Sequence, residues 1–226
     1  MDVLKSNMYE FNRKQTANGL DLLSTINDKA VAACFFDPQY RGLLDKLKFG
    51  NEGSKESARC NLTQMDDATI VKFIHAMDRV LQDSGHLFLW VDKFHLCEGD
   101  VKRWIKGTNL VQVDLLTWDK QKFGLGCRLR STTEFLIVLQ KLPKRAKGVW
   151  TDHSIPDDWP EKVNNKIHPH EKPLDLQARL ICAVTNDNDV VVDAAAGSYS
   201  VLEACKLTNR NFYGCDIQFG DDCKKF

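Results

Sequence analysis

The sequence predicts an α/β domain built on a doubly wound, mainly parallel, Rossmann-like sheet. Apolar runs of strand length alternate along the chain with stretches of helical periodicity. Several of the apolar runs end in an acid and lead into small or turn-forming residues, the arrangement found at the carboxyl edge of parallel sheets. A chain of 226 residues with 43% hydrophobic content can enclose a core of that kind.

Val31 to Asp37 is the first strand, and its six apolar residues suit burial on both faces. Asp66 to Leu81 carries Ile70, Phe73, Ile74, Met77, Val80 and Leu81 at helical spacing, and Gly85 to Val91 returns as a strand, completing a β-α-β unit. A helix is expected over Cys97 to Lys106, with strands over Leu110 to Trp118 and Glu134 to Gln140. After a polar stretch with Pro143, Pro156 and Pro160 come a helix from Pro173 to Val184 and a strand from Val190 to Asp193. A helix from Ser198 to Leu207 and a short strand from Asn211 to Gly214 follow. The whole chain, 1–226, reads as one domain without internal repeats.

Composition narrows the function classes. The formal net charge is zero and the pI is near 7.0, so no global basic field marks a nucleic-acid binder and any such contact must be local. Eight cysteines without a Cys-x-x-Cys pair read as reduced thiols rather than metal ligands or disulfides. No metal site is expected. The amino terminus lacks the apolar stretch of a signal peptide and no run has membrane-spanning length, so a cytoplasmic protein without a membrane partner is expected.

Two segments carry chemistry. Asp37-Pro38-Gln39-Tyr40 follows the first strand. A carboxylate, a carbonyl and an aromatic ring at a strand end can hold a planar amine where its lone pair becomes reactive. Asp193-Ala194-Ala195-Ala196-Gly197-Ser198-Tyr199-Ser200 turns from a strand through small residues into a helix, which lets a ligand approach the backbone closely. Asp216 ends the next short strand, a position from which an acid commonly binds ribose hydroxyls. Taken singly, Gly197 reads equally as a structural turn and Asp216 as an ordinary strand-end acid.

In this order the segments resemble the S-adenosylmethionine-dependent DNA amino-methyltransferases, specifically the permuted (beta-class) group whose catalytic motif precedes the cofactor motif. Asp37 to Tyr40 is similar to the family's Asp-Pro-Pro-Tyr, His168-Pro169-His170-Glu171-Lys172-Pro173 to its His-Pro-x-x-Lys-Pro, and Asp193 to Ser200 to its Asp-Pro-Phe-x-Gly-Ser-Gly-Thr. Asn209 to Asp216, Trp118-Asp119-Lys120, Gly124 to Arg130 and Glu134 also look like family segments. The resemblance spans about residues 30 to 217 and implies a seven-stranded methyltransferase sheet in circularly permuted motif order.

The resemblance further implies roles. Asp37, Pro38 and Tyr40 would be catalytic: Asp37 and the Pro38 carbonyl accept hydrogen bonds from the target amine, and Tyr40 stacks on a base turned out of the duplex. S-adenosylmethionine would lie against Asp37, His168, Lys172, Asp193, Ala195, Gly197, Ser198, Ser200 and Asp216, with Lys172 meeting its carboxylate. Apart from the resemblance, Glu134 begins a strand and reads as a brace for Arg128 or Arg130. Double-stranded DNA would meet Gln39, Arg41, Lys120, Lys122, Arg128, Arg130, Lys144 and Arg145. The last six lie in a run from Lys120 to Lys147 that also holds Lys141 and contains the single acid Glu134, and so reads as one phosphate-binding stripe. Segment 41–64 is expected to be a mobile loop over the flipped base and 141–167 a target-recognition segment, with Trp150 and Trp159 as core. A homodimer would suit a palindromic target.

Asp at the head of the tetrad points to adenine N6, methylated by direct in-line transfer within a specific duplex sequence. Cytosine-N4 methylation and a non-catalytic DNA-binding relative with a decayed cofactor loop remain the alternatives. Two departures bear on them. Gln39 replaces the family's second proline, adding an amide that faces the base, the cofactor or solvent. Tyr199 stands where the family has a second glycine, which predicts either weaker cofactor binding or a ring contact with the cofactor's methionine end.

Overall fold

A computed structural model describes residues 3–6, 8–39, 64–124, 128–163 and 171–221. The strands are β1 (Val31–Phe36), β2 (Leu81–Val91), β3 (Leu110–Asp119), β4 (Thr133–Lys141), β5 (Asp158–Pro160), β6 (Val190–Asp193) and β7 (Asn211–Gly214). They form one seven-stranded sheet in the order β5-β3-β4-β2-β1-β6-β7. Four neighbouring pairs are parallel, and β4 alone runs antiparallel to both of its neighbours, β2 and β3. The expectation of a mainly parallel sheet holds.

The helices are α1 (Gly19–Ser24), α2 (Asp67–Val80), α3 (Lys93–Glu98), α4 (Asp100–Trp104), α5 (Leu174–Val184) and α6 (Ser200–Leu207). Side chains alternate across the strands and so feed two cores, one on each face. Cys34, Phe36, Leu87, Leu89, Ile137 and Val192 pack under α1, α2 and α4 with Leu22, Ile74 and Trp104. Ala33, Phe35, Phe88, Leu136, Val191 and Phe212 pack on the other face with Leu180 of α5 and Leu202 of α6. This double burial explains the unbroken apolar runs of β1 and β6. Trp150 and Trp159 are part-buried and join the second core, as expected.

Three local outcomes differ from the sequence expectation. The helix expected over Cys97 to Lys106 is two short helices, because Gly99 adopts a left-handed conformation (φ 74°) that ends α3 before α4 starts. Helix α5 begins one residue after Pro173, which is its N-cap rather than a first-turn residue. Lys141, expected within the phosphate-binding stripe, is buried, and its ammonium donates to the carbonyls of Asp78 and Leu81 at the carboxyl end of α2. A cation there satisfies carbonyls left open by the helix and complements its dipole.

Residues ahead of β1 bind the sheet's far edge. The Asn12 amide donates to the Phe212 carbonyl (2.8 Å) and the Ala17 amide to the Asp216 carbonyl (3.0 Å). The strap leads into α1, which is capped by the Asn18 side chain accepting from the Leu20 amide (2.9 Å). Gly19, the first residue of α1, lies so close to the loop after β6 that a Cβ would stand 2.0 Å from the Ala194 carbonyl oxygen and 2.6 Å from the Phe73 ring. Gly19→Ala is therefore expected to destabilise the fold by about 1–3 kcal/mol through overpacking, read as a lower urea midpoint.

Candidate active site

Strand β1 continues to β2 on one side, while its other neighbour β6 leads outward to β7, so the strand order reverses between β1 and β6. At such a switch point the loops leave in opposite directions and a crevice opens at the carboxyl ends. Phe35 pairs with Asp193, which sets Asp37 and Asp193 on the rims of that crevice. The cleft opens to solvent, and Asp37, Gln39, Lys172, Asp193, Gly197 and Asp216 are among the residues lining it. Ala195, Ser198 and Ser200 line it too, with Phe35, Phe36, Trp90 and Phe219 supplying apolar wall.

Asp37 is held from the side. The Lys172 ammonium lies 2.9 Å from Asp37 Oδ2 and 2.9 Å from Glu134 Oε2, and 4.6 Å from the centre of the Trp90 ring. Glu134 in turn reaches the Lys120 ammonium at 3.4 Å. Burial raises the Asp37 pKa above the usual carboxylate range, opposed by the Lys172 charge. Burial alone would lower the Lys172 pKa, but Asp37 and Glu134 outweigh it and hold the lysine firmly protonated. Lys172 and Glu134 thus meet each other, and the lysine also meets Asp37.

Across the crevice the Asp193 carboxylate accepts from the Ala195 amide (3.1 Å) and is almost fully buried. Burial pushes its pKa up to about 8, with the Asp37 and Asp216 charges adding to the rise. Asp216 ties the next loop to this one: Oδ2 accepts from the Gly197 amide (2.9 Å) and Oδ1 from the amides of Gln218 (2.8 Å) and Phe219 (3.1 Å). Asp37, Asp193 and Asp216 thus set three carboxyl groups around an apolar wall, with the Lys172 ammonium beside Asp37.

Tyr199 occupies the left-handed conformation a glycine would favour (φ 61°, ψ 30°), so the loop keeps its turn without glycine. Its ring points out of the cleft into the core beside Phe212. The hydroxyl donates to the Gln15 carbonyl (2.8 Å) and accepts from the Gln15 amide (3.1 Å). The expected ring contact with the cofactor's methionine end is therefore not formed.

Other site residues fall differently. Pro38 is buried beside Asp37, and the Gln39 carbonyl accepts from the Met65 amide (2.8 Å) at the cleft's lip. Tyr40, Arg41 and His168 lie outside the described residues, as do 42–63 of the expected mobile loop and 164–167 of the expected recognition segment. Trp90, Gln177 and Phe219 line the cleft without having been singled out in the sequence. For Trp90 a signal was present, since it stands at the carboxyl end of the strand beside β1.

The basic stripe is not continuous. Lys120, Lys122, Arg128 and Arg130 belong to the β3–β4 hairpin at the cleft end, where Asp119 pairs with Thr133. Lys144, Arg145 and Lys147 follow the opposite end of β4. The nine residues of β4 separate the groups by about 27 Å. The antiparallel course of β4 divides what the sequence writes as one run.

The profile of the N6/N4 DNA methylase family matches residues 31–219. This chain belongs to that DNA methylase family. The family chain is 55% identical over 213 residues to the type II methyltransferase M.HhaII of Haemophilus parahaemolyticus, covering 93% of each protein. It is 27% identical to the type II methyltransferase M2.MboI of Moraxella bovis, over 88% of this chain and 80% of that one. Its fold is shared with the M1.HpyAVI–SAM complex (TM-score 0.65, 18% identity, 92% of this chain and 94% of that chain). It is shared equally with the cytosine-N4-specific PvuII DNA methyltransferase (TM-score 0.70, 14% identity, 91% and 81%). In this methylase the Asp37 tetrad precedes the Asp193 loop along the chain.

Proposed function

We propose that this methylase transfers a methyl group from S-adenosylmethionine to N6 of adenine in a specific sequence of duplex DNA, acting on a base turned out of the helix. The observation that carries this reading is Asp37 at the carboxyl end of β1, facing a cleft rimmed by Asp193 and Asp216. The cleft suits the cofactor: its acids match a ligand bearing ammonium and sulfonium charges, and its aromatic wall matches an adenine ring. Asp193, Ala195, Gly197, Ser198 and Ser200 would hold the methionine portion. Asp216, whose oxygens already bind backbone amides, would share its remaining acceptor capacity with the ribose. When bound, the cofactor supplies an activated methyl group.

The protein's own task is to make a delocalised amine nucleophilic. Asp37 and the Pro38 carbonyl would accept the two amine hydrogens, favouring a pyramidal nitrogen and stabilising the positive charge it gains. The raised pKa of Asp37 also equips it to receive the proton the nitrogen must shed. Gln39 and the cleft-end cations Lys122, Arg128 and Arg130 would face DNA, and Tyr40 would stack on the base. Mass spectrometry of nucleosides from DNA methylated by the purified protein tests the target base. N6-methyladenine is expected, and N4-methylcytosine in its place would overturn adenine as the substrate.

Cofactor affinity should depend on pH. Free Asp193 titrates near pH 8, and a ligand ammonium favours its ionised form. The dissociation constant is expected to fall as pH rises from about 6 to about 8 and then to level. Calorimetry should show this slope in the parent protein and a flatter one in Asp193→Asn.

A further inference from the structure

The β3–β4 hairpin presents the two most exposed large apolar side chains among the described residues: Phe123, 78% exposed, and Leu129, 79% exposed. They are not stray surface residues. The hairpin ladder continues past the sheet, with the Lys120 amide donating to the Thr132 carbonyl (2.9 Å) and the Gly124 amide to the Ser131 carbonyl (2.8 Å). A Cβ on Gly124 would stand 2.4 Å from the Ser131 carbonyl oxygen, so the strands close tightly there. Phe123 and Leu129 are thus carried by a hydrogen-bonded ribbon whose base holds Glu134, one lysine away from Asp37.

Charge selects the occupant. Lys122, Arg128 and Arg130 flank the two apolar residues, all exposed, and the segment from Lys120 to Thr132 contains no acid although the chain is neutral overall. A second copy of the chain or another protein would need a broad interface of roughly 800 Å² per side, and the cores of such interfaces are depleted in charge. One or two apolar side chains suffice to part a base step, and cations beside them suit the flanking phosphates.

We propose that Phe123 and Leu129 of this hairpin form a DNA wedge that enters the base stack next to the target nucleotide while Lys122, Arg128 and Arg130 grip the neighbouring phosphates. The wedge rests on the reading that this methylase acts on an extruded base. It fills the gap left by that base and so favours extrusion, the step that precedes chemistry.

Two measurements test it. In Lys122→Gln/Arg128→Gln/Arg130→Gln the dependence of nonspecific duplex binding on salt should fall by about two to three units of log–log slope. An unchanged slope would overturn the proposal. This arm needs no methyl transfer, so a hairpin that misses DNA is told apart from a chain that does not methylate. In Phe123→Ala/Leu129→Ala, kcat/KM should drop about tenfold or more on matched duplex carrying the site mapped by sequencing methylated bases in expressing cells. On the same duplex with an abasic position opposite the target, where extrusion is easy, the variant should come within about threefold of the parent. Equal rates on matched duplex, or a defect that persists on the abasic one, would refute the wedge.

Discussion

Asp37→Ala should lower turnover by about three orders of magnitude while leaving S-adenosylmethionine affinity within about threefold of the parent. The contact removed is one that strengthens as the amine nitrogen gains charge, so the loss should appear in kcat and little in KM for DNA. The fold should survive, because Lys172 keeps its 2.9 Å ion pair with Glu134 when Asp37 is gone. Single-turnover tritium transfer into duplex DNA, paired with calorimetry for the cofactor, separates the two effects. A variant that binds cofactor normally and still methylates at the parent rate would remove Asp37 from the chemistry.

The second large effect concerns the lysine behind Asp37. In Lys172→Met the carboxylates of Asp37 and Glu134 lose the cation between them, and nothing then opposes the rise that burial imposes on the Asp37 pKa. The sign is determined: Asp37 acts as an ionised acceptor, its pKa is already above that of a free carboxylate, and losing Lys172 raises it further. Activity should therefore fall about a hundredfold near neutral pH and recover partly as the medium is made alkaline. The acidic limb of the pH–kcat profile should move to higher pH. A uniform loss with an unmoved profile would mean that Lys172 serves packing alone, against Trp90 for example.

Much of this site was legible in the sequence, for a physical reason. β1 and β6 are buried on both faces, so they appear as unbroken apolar runs whose ends, Asp37 and Asp193, stand out as the first charges. What stayed hidden was nonlocal or short. Helix α1 has only six residues and opens on a glycine needed for close approach, so no periodicity could mark it. β5 has three residues and exists only beside β3. The division of the basic stripe follows from strand direction, which the order of residues does not state. Lys141 looks like any surface lysine until the carboxyl end of α2 is placed above it. Tyr199 looked like a defect in a glycine-rich loop because its partner, Gln15, lies 184 positions away.

That separation has a bearing on when the site comes into being. The turn that shapes the cleft is locked by a hydroxyl clasping a segment 184 residues earlier, and Gln15 also donates from its side chain to the Gly214 carbonyl (3.1 Å). Contacts of such range form late, since the entropy of closing the intervening chain must be overcome first. During synthesis the elements from β1 to β4 can collapse while the cofactor loop does not yet exist. The cofactor cleft is therefore completed only once the Gln15 segment has met the Tyr199 turn, and ligand binding reports on a finished fold rather than guiding an early one.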